Sequence, residues 1–407
     1  MTDRVFQLVG SCNNYPWGKQ GQQSLAARLC KKTDQSFQIK DDEFYSEMWF
    51  GDYPDYPARV LRTGEPLKDV LEKNKETLLG KKVIENLGGQ LPFLPKILSI
   101  AKALPLQIHP NKELAAKLHA KDPDNFTDPN HKPEIAVALS KFEVFAGFKP
   151  LSEIAPLFNL PALRNFVPEG MHTTQWTDKT LREVTRNLLK ADEATVKRVE
   201  DLLLATSKAD LGEARAAYIP DLLPRLQKQY GSGDPGSLVA LTCMNFMVLE
   251  PGEALFIPAD GIHAYLSGDI VECMARSNNV LNSGFCPPAD RNDIDLFTET
   301  LTFQAHSVGD IILRDEKTGK SKTGRTRVYA PPMSEFNMLR AGLKAGEADE
   351  ISESDGPGVM IVTRGAGRME TDGKAFELEE GAIYFVAPGV TVKWETDTGM
   401  DVYMAVV

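Results

Sequence analysis

The sequence lacks the features that mark several large classes of protein. It has no run approaching the roughly 18 consecutive apolar residues of a membrane span. Its net charge of −11 excludes the lysine and arginine surplus that nucleic-acid binding requires. Its five cysteines are widely scattered without a CxxC pair, which predicts reduced thiols and no disulfide framework or cysteine zinc site. The first residues also lack the apolar core of a signal peptide. We therefore expect a cytoplasmic protein with no nucleic-acid or membrane partner.

What is present describes an ordinary globular chain with more than one domain. The 407 residues are 42% hydrophobic and 25% charged, which is enough for two or three sizeable cores. Residues 1–150 carry short apolar runs broken by Gly, Pro and Asp, a pattern typical of strands. Residues 151–232 change to helical spacing, as in "LREVTRNLLKADEATVKRVEDLLLA". After the linker "YGSGDPGS", the segment "SLVALTCMNFMVLE" indicates a return to strands. The pattern predicts a mainly β protein with a helical insertion.

Two distant stretches of the chain resemble one another. "LEPGEALFIPADGIHAY" at 249–265 and "LEEGAIYFVAPGVTVKW" at 378–394 share an L-E-x-G turn, an apolar strand and a Pro-bearing turn into another strand. This repeat predicts two related β-sandwich units. The first copy ends in His263, whereas the second offers only Val392 and Lys393 there. We expect one of the two units to carry a polar site.

The stretch "LPLQIHP" places Gln107 and His109 two positions apart in an apolar run. On a strand, residues i and i+2 point to the same face, so these side chains project together. Buried polar groups without partners are costly. The pair therefore predicts something polar, such as a metal ion, facing this strand.

Two further segments place metal-capable side chains next to strand sequence. "DPNHKPEIAVAL" supplies His131, Lys132 and Glu134, and "PADGIHAYLSG" supplies His263. Two imidazoles, a carboxylate and an amide oxygen form a plausible ligand set for Zn²⁺. Each histidine alone is more often a satisfied core residue, and Glu134 alone would be read as a solvated strand-end carboxylate. Spacing alone leaves these alternatives open.

Taken together, the segments "NYPWGKQG", "SEMWFG", "LPFLPKILSIAKALPLQIHPNKELAAKLH", "DPNHKPEIAVAL" and "FIPADGIHAYLSGDIVECMA" resemble the type I mannose-6-phosphate isomerases, zinc enzymes of the cupin superfamily. The resemblance covers both sandwich units and flanks the helical insertion. It implies two cupin (jelly-roll) β-sandwich domains plus a helical domain. Residues 1–150 with 233–300 would form the metal-binding cupin, 151–232 the helical insertion, and 301–407 a C-terminal cupin lacking metal ligands.

The resemblance also implies an activity and a set of site residues. The family interconverts mannose 6-phosphate and fructose 6-phosphate through a cis-enediol, using one Zn²⁺ per chain. Its zinc ligands fall on Gln107, His109, Glu134 and His263, the four residues that the strand argument selects. The remaining expected residues are Lys132 and Glu272 as the acid–base pair, and Trp17, Glu47, His131, Tyr265 and Arg276 as substrate-binding groups.

The chain departs from the family in one concentrated segment. The family usually reads S-D-N-V-x-R-x-G-x-T-P-K where this chain reads "SNNVLNSGFCPP". Asn278, Asn282 and Pro288 thereby replace an Asp, an Arg and a Lys, and Pro105 replaces a Ser upstream. The lost Ser and Lys would hold a phosphate and the lost Arg would stabilise enediolate charge. Each lost contact would cost about 1.5–3 kcal/mol.

These departures leave three functions open. The first is a divergent mannose-6-phosphate isomerase that binds phosphate through other groups, such as Arg276 or Arg291. The second is an isomerase of a different or unphosphorylated sugar. The third is a catalytically silent, metal-bound sugar-binding protein. In each case the partner is a small sugar or sugar phosphate, and the sequence does not give the oligomeric state.

Overall fold

The computed structural model describes residues 3–172, 175–212, 216–333 and 335–407. Over that part of the chain, the strands are β1 Val5–Val9, β2 Ser11–Asn13, β3 Lys19–Gln20, β4 Phe44–Tyr45, β5 Glu47–Trp49, β6 Arg59–Val60, β7 Phe93–Ile100, β8 Leu106–Ile108, β9 Glu134–Ala138, β10 Phe142–Phe148, β11 Met244–Leu249, β12 Ala254–Ile257, β13 His263–Ala275, β14 Leu281–Gly284, β15 Glu316–Lys317, β16 Thr326–Tyr329, β17 Asn337–Leu343, β18 Glu347–Ile351, β19 Gly358–Thr371, β20 Lys374–Glu379, β21 Ile383–Val386, β22 Val392–Thr396 and β23 Met400–Val406.

The helices connect the strands along the chain, and the longest run of consecutive helices separates β10 from β11. In the described residues they are α1 Leu25–Thr33, α2 Leu67–Lys73, α3 Lys75–Leu78, α4 Gly80–Asn86, α5 Lys112–Lys121, α6 Leu151–Leu157, α7 Asp178–Leu189, α8 Glu193–Ala205, α9 Lys208–Leu211, α10 Ile219–Tyr230, α11 Pro235–Cys243, α12 Ile294–Thr300 and α13 Val308–Ile311. Short 3-10 turns occur at Gly21–Gln23, Arg164–Phe166 and Pro288–Asp290. Within this described part, no helix is long and apolar enough to cross a membrane.

The long strand β13 organises the first sheet. Its first half pairs with β10 and β8, and its second half pairs with β7 and β9, all antiparallel. Gly268 marks the change of partner, with a φ of 123° and an ideal Cβ position 2.6 Å from the carbonyl oxygen of Lys141. A side chain there would collide with the neighbouring backbone. β13 therefore brings β7, β8, β9 and β10 together in one sheet.

The second sheet is built mainly from the C-terminal third of the chain, and two strands from the start of the chain, β1 and β6, extend it at one edge. β1, at the start of the chain, pairs with β21 over Val5–Leu8 and Ile383–Val386. Residues 1–150 are expected in the first unit, so the sheet that β1 joins differs from that expectation. Hydrophobic alternation predicts a strand but does not say which edge it joins.

The internal repeat is present in the structure. Each copy forms two strands that are consecutive along the chain, β12 and β13 in the first copy and β21 and β22 in the second. The glycine of each L-E-x-G turn has positive φ, 91° at Gly252 and 92° at Gly381. Glycine reaches this region without the steric cost of a Cβ. The shared turn sequence thus reflects a shared backbone conformation.

The helical segment runs further than the sequence pattern indicates. Residues from 237 were expected to resume strand structure, but Pro235–Cys243 is an α-helix in which every residue is buried. A helix buried on all sides has no polar stripe, so apolar content alone does not distinguish it from a strand. The usable signal was Asp234 as N-cap, whose side chain accepts from the Gly236 N–H, followed by Pro at the first helical position.

The two sandwich units share one hydrophobic core. Ile97 and Val271 of the first sheet belong to the same buried cluster as Val362 and Trp394 of the second. The helices of 151–243 pack on a separate cluster with β8, β10 and β14. Because the core is continuous, the two sheets are packed in one fixed arrangement.

Candidate metal centre and active site

The four predicted ligands come from neighbouring strands of the first sheet. Gln107 is the middle residue of β8 and lies directly opposite His263, the first residue of β13. His109 follows β8, and Glu134 is the first residue of β9. Directly opposite residues of an antiparallel pair point to the same face. The sheet therefore presents the amide of Gln107 beside the imidazole of His263.

His109, Glu134 and His263 converge in the buried interior. Nε2 of His109 lies 3.2 Å from Oε1 of Glu134, and Nε2 of His263 lies 3.6 Å from Oε2 of the same carboxylate. The ligand atoms of the three residues all lie within 4.8 Å of one another. Of the His, Cys, Asp and Glu side chains in the described residues, only these form such a group. The structure thus brings together three of the four predicted ligands around one point.

Both imidazole rings are fixed through their far nitrogens. Nδ1 of His109 lies 2.7 Å from the carbonyl oxygen of Asn279, and Nδ1 of His263 lies 2.9 Å from that of Gly261. Because a carbonyl only accepts, each Nδ1 carries the proton and each Nε2 presents a lone pair. Both Nε2 atoms are buried and find no hydrogen-bond partner in the described part of the chain. Lone pairs facing a carboxylate repel it, so this donor set fits a cation held between them.

Electrostatics keeps these groups in the protonation states that bind metals. Burial lowers the pKa of His109 to about 4, an effect strengthened by the positive charge of Lys132. Burial also lowers the pKa of His263. Although burial raises the pKa of Glu134, the charge of Lys132, together with the interaction with His109, outweighs it and holds that pKa well below its usual range. At neutral pH the set is two neutral imidazoles and one carboxylate.

Lys132 and Glu272 lie beside the metal centre. Nζ of Lys132 is 3.1 Å from Oε1 of Glu134, and burial of this lysine is outweighed by Glu134 and Glu272, which raise its pKa. Burial, together with the charge of Glu134, raises the pKa of Glu272 to about 8 against the opposing pull of Lys96 and Lys132. The site therefore contains a carboxyl group that exchanges its proton near neutral pH.

Lys96 is a functional candidate that is not among the residues predicted from the sequence. It lies opposite Glu272 in the β7–β13 pair, and its Nζ is 3.8 Å from carboxylate oxygens of both Glu272 and Glu47. The same ammonium lies 4.1 Å from the ring centroid of Trp49. The available signal was a lysine in the otherwise apolar run "FLPKILSI", which needs a buried partner for its charge.

Glu47 is held firmly at the edge of this charge network. Its Oε2 accepts hydrogen bonds from the indole N–H of Trp49 and, at 3.2 Å, from the side chain of Asn13. Tyr265 also joins the network, since its hydroxyl donates to Oε2 of Glu134 at 3.1 Å. The half-buried Trp17 packs against the hydrophobic cluster that contains Tyr265. Tyr265 is thus in direct contact with a predicted metal ligand, and a substrate role for Glu47 and Trp17 stays a prediction.

Two other predicted substrate-binding residues are already held by carboxylates. The guanidinium of Arg276 forms an ion pair with the buried Asp52 and lies 5.2 Å from the ring centroid of Tyr53. Nε2 of His131 lies 2.6 Å from Oε1 of Glu335, a residue close to the second sheet. A substrate role for Arg276 and His131 stays a prediction.

The residues of the divergent segment differ in their surroundings. Asn282 lies opposite Gln107 in the β14–β8 pair, and its buried Oδ1 has no hydrogen-bond partner among the described residues. The side chain of Asn278 donates to Asp55 at 3.2 Å. Pro288 begins a 3-10 turn, and Pro105 precedes β8. Asn282 is thus the member of this segment on the face of Gln107 and His263.

A β-sandwich that carries a buried set of two histidines and a carboxylate defines a metal-binding cupin. Comparisons with known proteins agree. Residues 5–151 match the family model for the catalytic domain of type I phosphomannose isomerase. Mannose-6-phosphate isomerase of Saccharomyces cerevisiae is 35% identical, over 98% of this chain and 97% of the yeast protein. That of Aspergillus fumigatus is 36% identical, over 98% of this chain and 95% of its relative.

A solved structure shares the fold over nearly the whole chain. The crystal structure of mannose 6-phosphate isomerase from Salmonella typhimurium, bound to fructose 6-phosphate and zinc, superposes with a TM-score of 0.81. It is 25% identical and covers 98% of this chain and 99% of its own. The chain belongs to the type I mannose-6-phosphate isomerase family, which confirms both the resemblance and the predicted cupin fold class.

Proposed function

We propose that this protein is a zinc-dependent aldose–ketose isomerase that interconverts mannose 6-phosphate and fructose 6-phosphate through a cis-enediol. The observation that carries the proposal is the pair of buried, unpartnered Nε2 atoms of His109 and His263 facing Glu134. A structural protein has no need of such a set, which is costly to bury without a cation. The ammonium of Lys132 lies next to the carboxylate of Glu134 and balances its charge, which supports a catalytic role for the site.

We assign the metal to Gln107, His109, Glu134 and His263. Zinc bound there would supply a Lewis acid for the sugar oxygens next to the reacting carbons. Asn279 and Gly261 keep the two imidazoles in the required tautomer through their carbonyl groups. The hydroxyl of Tyr265 orients the carboxylate of Glu134 by donating a hydrogen bond to its Oε2. Such supporting partners orient ligands and adjust their affinity.

The proton transfers are assigned to Glu272 and Lys132. Isomerisation removes a proton from C2 of the aldose and returns one to C1, while the oxygens exchange a proton between them. Glu272, with a pKa raised to about 8, can carry the carbon-bound proton in both directions near neutral pH. The ammonium of Lys132 stays charged beside Glu134 and can donate to a sugar oxygen as negative charge develops. Glu47 and Trp17 complete the sugar pocket.

One observation bears on whether the substrate is phosphorylated. Arg276 and Arg291 were the candidates to replace the family's lost phosphate contacts, but both are ion-paired within the protein. Arg276 pairs with Asp52, and Arg291 lies 3.1 Å from Oδ2 of the buried Asp234. A dianionic phosphate would have to compete with these buried carboxylates. An isomerase of an unphosphorylated sugar is therefore the second candidate.

The test is turnover of the purified, zinc-loaded protein on mannose 6-phosphate, with mannose assayed beside it. A chelator-treated sample and the variant His263→Ala serve as metal-free controls. Chelator-sensitive turnover of mannose 6-phosphate supports the proposal. Turnover of mannose alone selects the second candidate. Zinc-loaded protein that turns over neither sugar contradicts both, and leaves a binding protein.

A further inference from the structure

The loop that precedes β9 delivers two of the proposed active-site groups. Residues 128–133 are irregular, and Lys132 and Glu134 stand at their end. One side of this loop is held by the segment after β13. Asn279 donates from its side chain to the carbonyl of Asp128 at 2.6 Å and to that of Asn130 at 3.1 Å. At the far end of the loop the Ala275 N–H donates to the Pro133 carbonyl at 3.0 Å, and His131 and Lys132 lie between these contacts.

A further contact with this loop comes from the C-terminal part of the chain. Glu335 lies two residues before β17, a strand of the second sheet, and its side chain is only 11% exposed. Its Oε1 lies 2.6 Å from Nε2 of His131. Because a carboxylate only accepts, the imidazole donates this hydrogen bond. The carboxylate thus reaches across the boundary between the two units to the residue next to Lys132.

The chain is fixed at this point by a second contact. Phe336, the residue after Glu335, is buried, and its ring packs edge-on against Phe93 at a centroid distance of 6.3 Å. Phe93 begins β7, the strand that carries Lys96. Two consecutive residues of the C-terminal part therefore contact the first unit: Glu335 contacts the loop before β9, and Phe336 contacts β7. The carboxylate of Glu335 is held in place by packing as well as by its hydrogen bond.

We infer that Glu335 is a positioning residue for the reaction: by fixing His131, it sets the orientation of Lys132 and Glu134. This inference rests on the proposed function for the roles of those two residues. His131 is adjacent to Lys132 and three residues from Glu134, which is roughly 10 Å of extended chain. The backbone is held on both sides of His131, at Asn130 by the side chain of Ser277 and at Pro133, whose carbonyl accepts from the Ala275 N–H at 3.0 Å. Releasing the imidazole therefore frees the middle of this short segment, which carries Lys132. The inference gives the C-terminal sandwich a part in catalysis.

The experiment compares Glu335→Ala, Glu335→Gln and the control Asp401→Asn. The glutamine variant keeps an oxygen that can accept from His131. The control removes a carboxylate of the same sandwich that pairs with Arg364 at 2.7 Å, away from the loop. For each zinc-loaded protein, kcat and KM for mannose 6-phosphate are measured, together with the rate of zinc loss to a chelator and the melting temperature.

The expected result is a kcat about tenfold lower or more in E335A, with faster zinc loss and a KM within about threefold of the wild type. E335Q should recover most of both losses, and D401N should match the wild type. In a double-mutant cycle, His131→Ala and Glu335→Ala should be strongly non-additive. A melting temperature that falls while kcat and zinc loss stay unchanged would overturn the inference.

Two further outcomes are decided by the same design. If E335A does not fold, Glu335→Asp replaces it, since the shorter side chain keeps the charge but withdraws it from His131; unchanged kcat and zinc loss in that variant would overturn the inference. If the wild type turns over no sugar phosphate, the proposed function fails, but zinc loss still decides. Faster loss in E335A than in D401N supports the positioning of Glu134, and equal loss contradicts it.

Discussion

The hydroxyl of Tyr265 donates a hydrogen bond to Oε2 of Glu134, the oxygen that also faces His263. This contact orients a proposed metal ligand without touching the metal position itself. Tyr265→Phe should therefore weaken zinc binding by about tenfold, the lower end of what supporting partners contribute. Competition with a chromogenic chelator measures the affinity. Tyr329→Phe is the control, because it removes a buried hydroxyl that donates to the Gly252 carbonyl at 2.6 Å. Equal zinc affinity in Y265F and wild type would contradict the assignment of Glu134.

We expect Glu272→Gln to impair proton transfer without loss of zinc, and His263→Ala to lose zinc. Glu272→Gln keeps the shape of the side chain but cannot take up a proton, so kcat should fall by about a hundredfold or more. Its zinc content should stay near that of the wild type, because Glu272 is not among the proposed ligands. His263→Ala should instead lose zinc. Metal analysis and steady-state kinetics on the same samples distinguish them. An E272Q enzyme with normal kcat would remove Glu272 from the mechanism.

Asp349 anchors a loop of the C-terminal sandwich. Its buried carboxylate accepts from the hydroxyls of Ser321, Thr323 and Thr326 at 2.6–2.8 Å. Although burial raises the pKa of Asp349, these hydrogen bonds hold it well below the usual range. Asp349→Ala leaves several donors unsatisfied and should lower the free energy of unfolding by about 3 kcal/mol. Chemical denaturation measures this. The adjacent Glu350→Ala, which breaks an exposed pair with Lys322, should show no measurable change.

Lys149 predicts a pH-dependent stability. It is buried between the first sheet and the helical segment, where its Nζ contacts the Tyr218 hydroxyl at 3.1 Å and the Leu241 carbonyl at 3.3 Å. Burial lowers its pKa from 10.5 to about 8. Below the folded pKa, both states are protonated and the cost of burying the charge is fully present. Between the two pKa values the folded state sheds its proton first, so the contribution of Lys149 to stability rises with pH.

Lys149→Met should therefore stabilise the protein near neutral pH. A shift of about 2.5 pKa units corresponds to about 3 kcal/mol, which is the upper limit of the gain. The gain should shrink as pH rises from about 8 towards about 10. Denaturation midpoints of variant and wild type, compared at each pH, give the difference directly. A gain that is constant over this range would show that the charge of Lys149 is not what the variant relieves.

The candidate metal ligands could be predicted because each of them lies in a short segment with a recognisable strand pattern. Gln107 and His109 are polar residues two positions apart in an apolar strand, and Glu134 and His263 each begin a strand. Strand parity and ligand chemistry make these residues candidates, and the resemblance to the family singles them out from the alternatives that spacing leaves open. The partners of the imidazoles were not predictable in this way, because backbone carbonyls such as that of Asn279 carry no sequence signal.

The errors and omissions arise from tertiary context. The buried helix Pro235–Cys243 has no polar face, and β1 joins the second sheet through a pairing that spans most of the chain. Glu335 stands 204 residues from His131, so no local pattern connects them. Lys96 was detectable as a charge in an apolar strand, but its two carboxylate partners come from other strands. Cytoplasmic localisation and the domain boundaries stay predictions.

We propose that one zinc ion, held by Gln107, His109, Glu134 and His263, is required for isomerisation. The most direct measurement is the titration of metal-free protein with zinc, following bound zinc per chain and turnover of fructose 6-phosphate on the same samples. We expect activity to rise in proportion to bound zinc and to reach its plateau at about one ion per chain. We expect His109→Ala neither to bind zinc tightly nor to turn over substrate. Activity in the metal-free protein, or none at full zinc occupancy, would contradict the proposal.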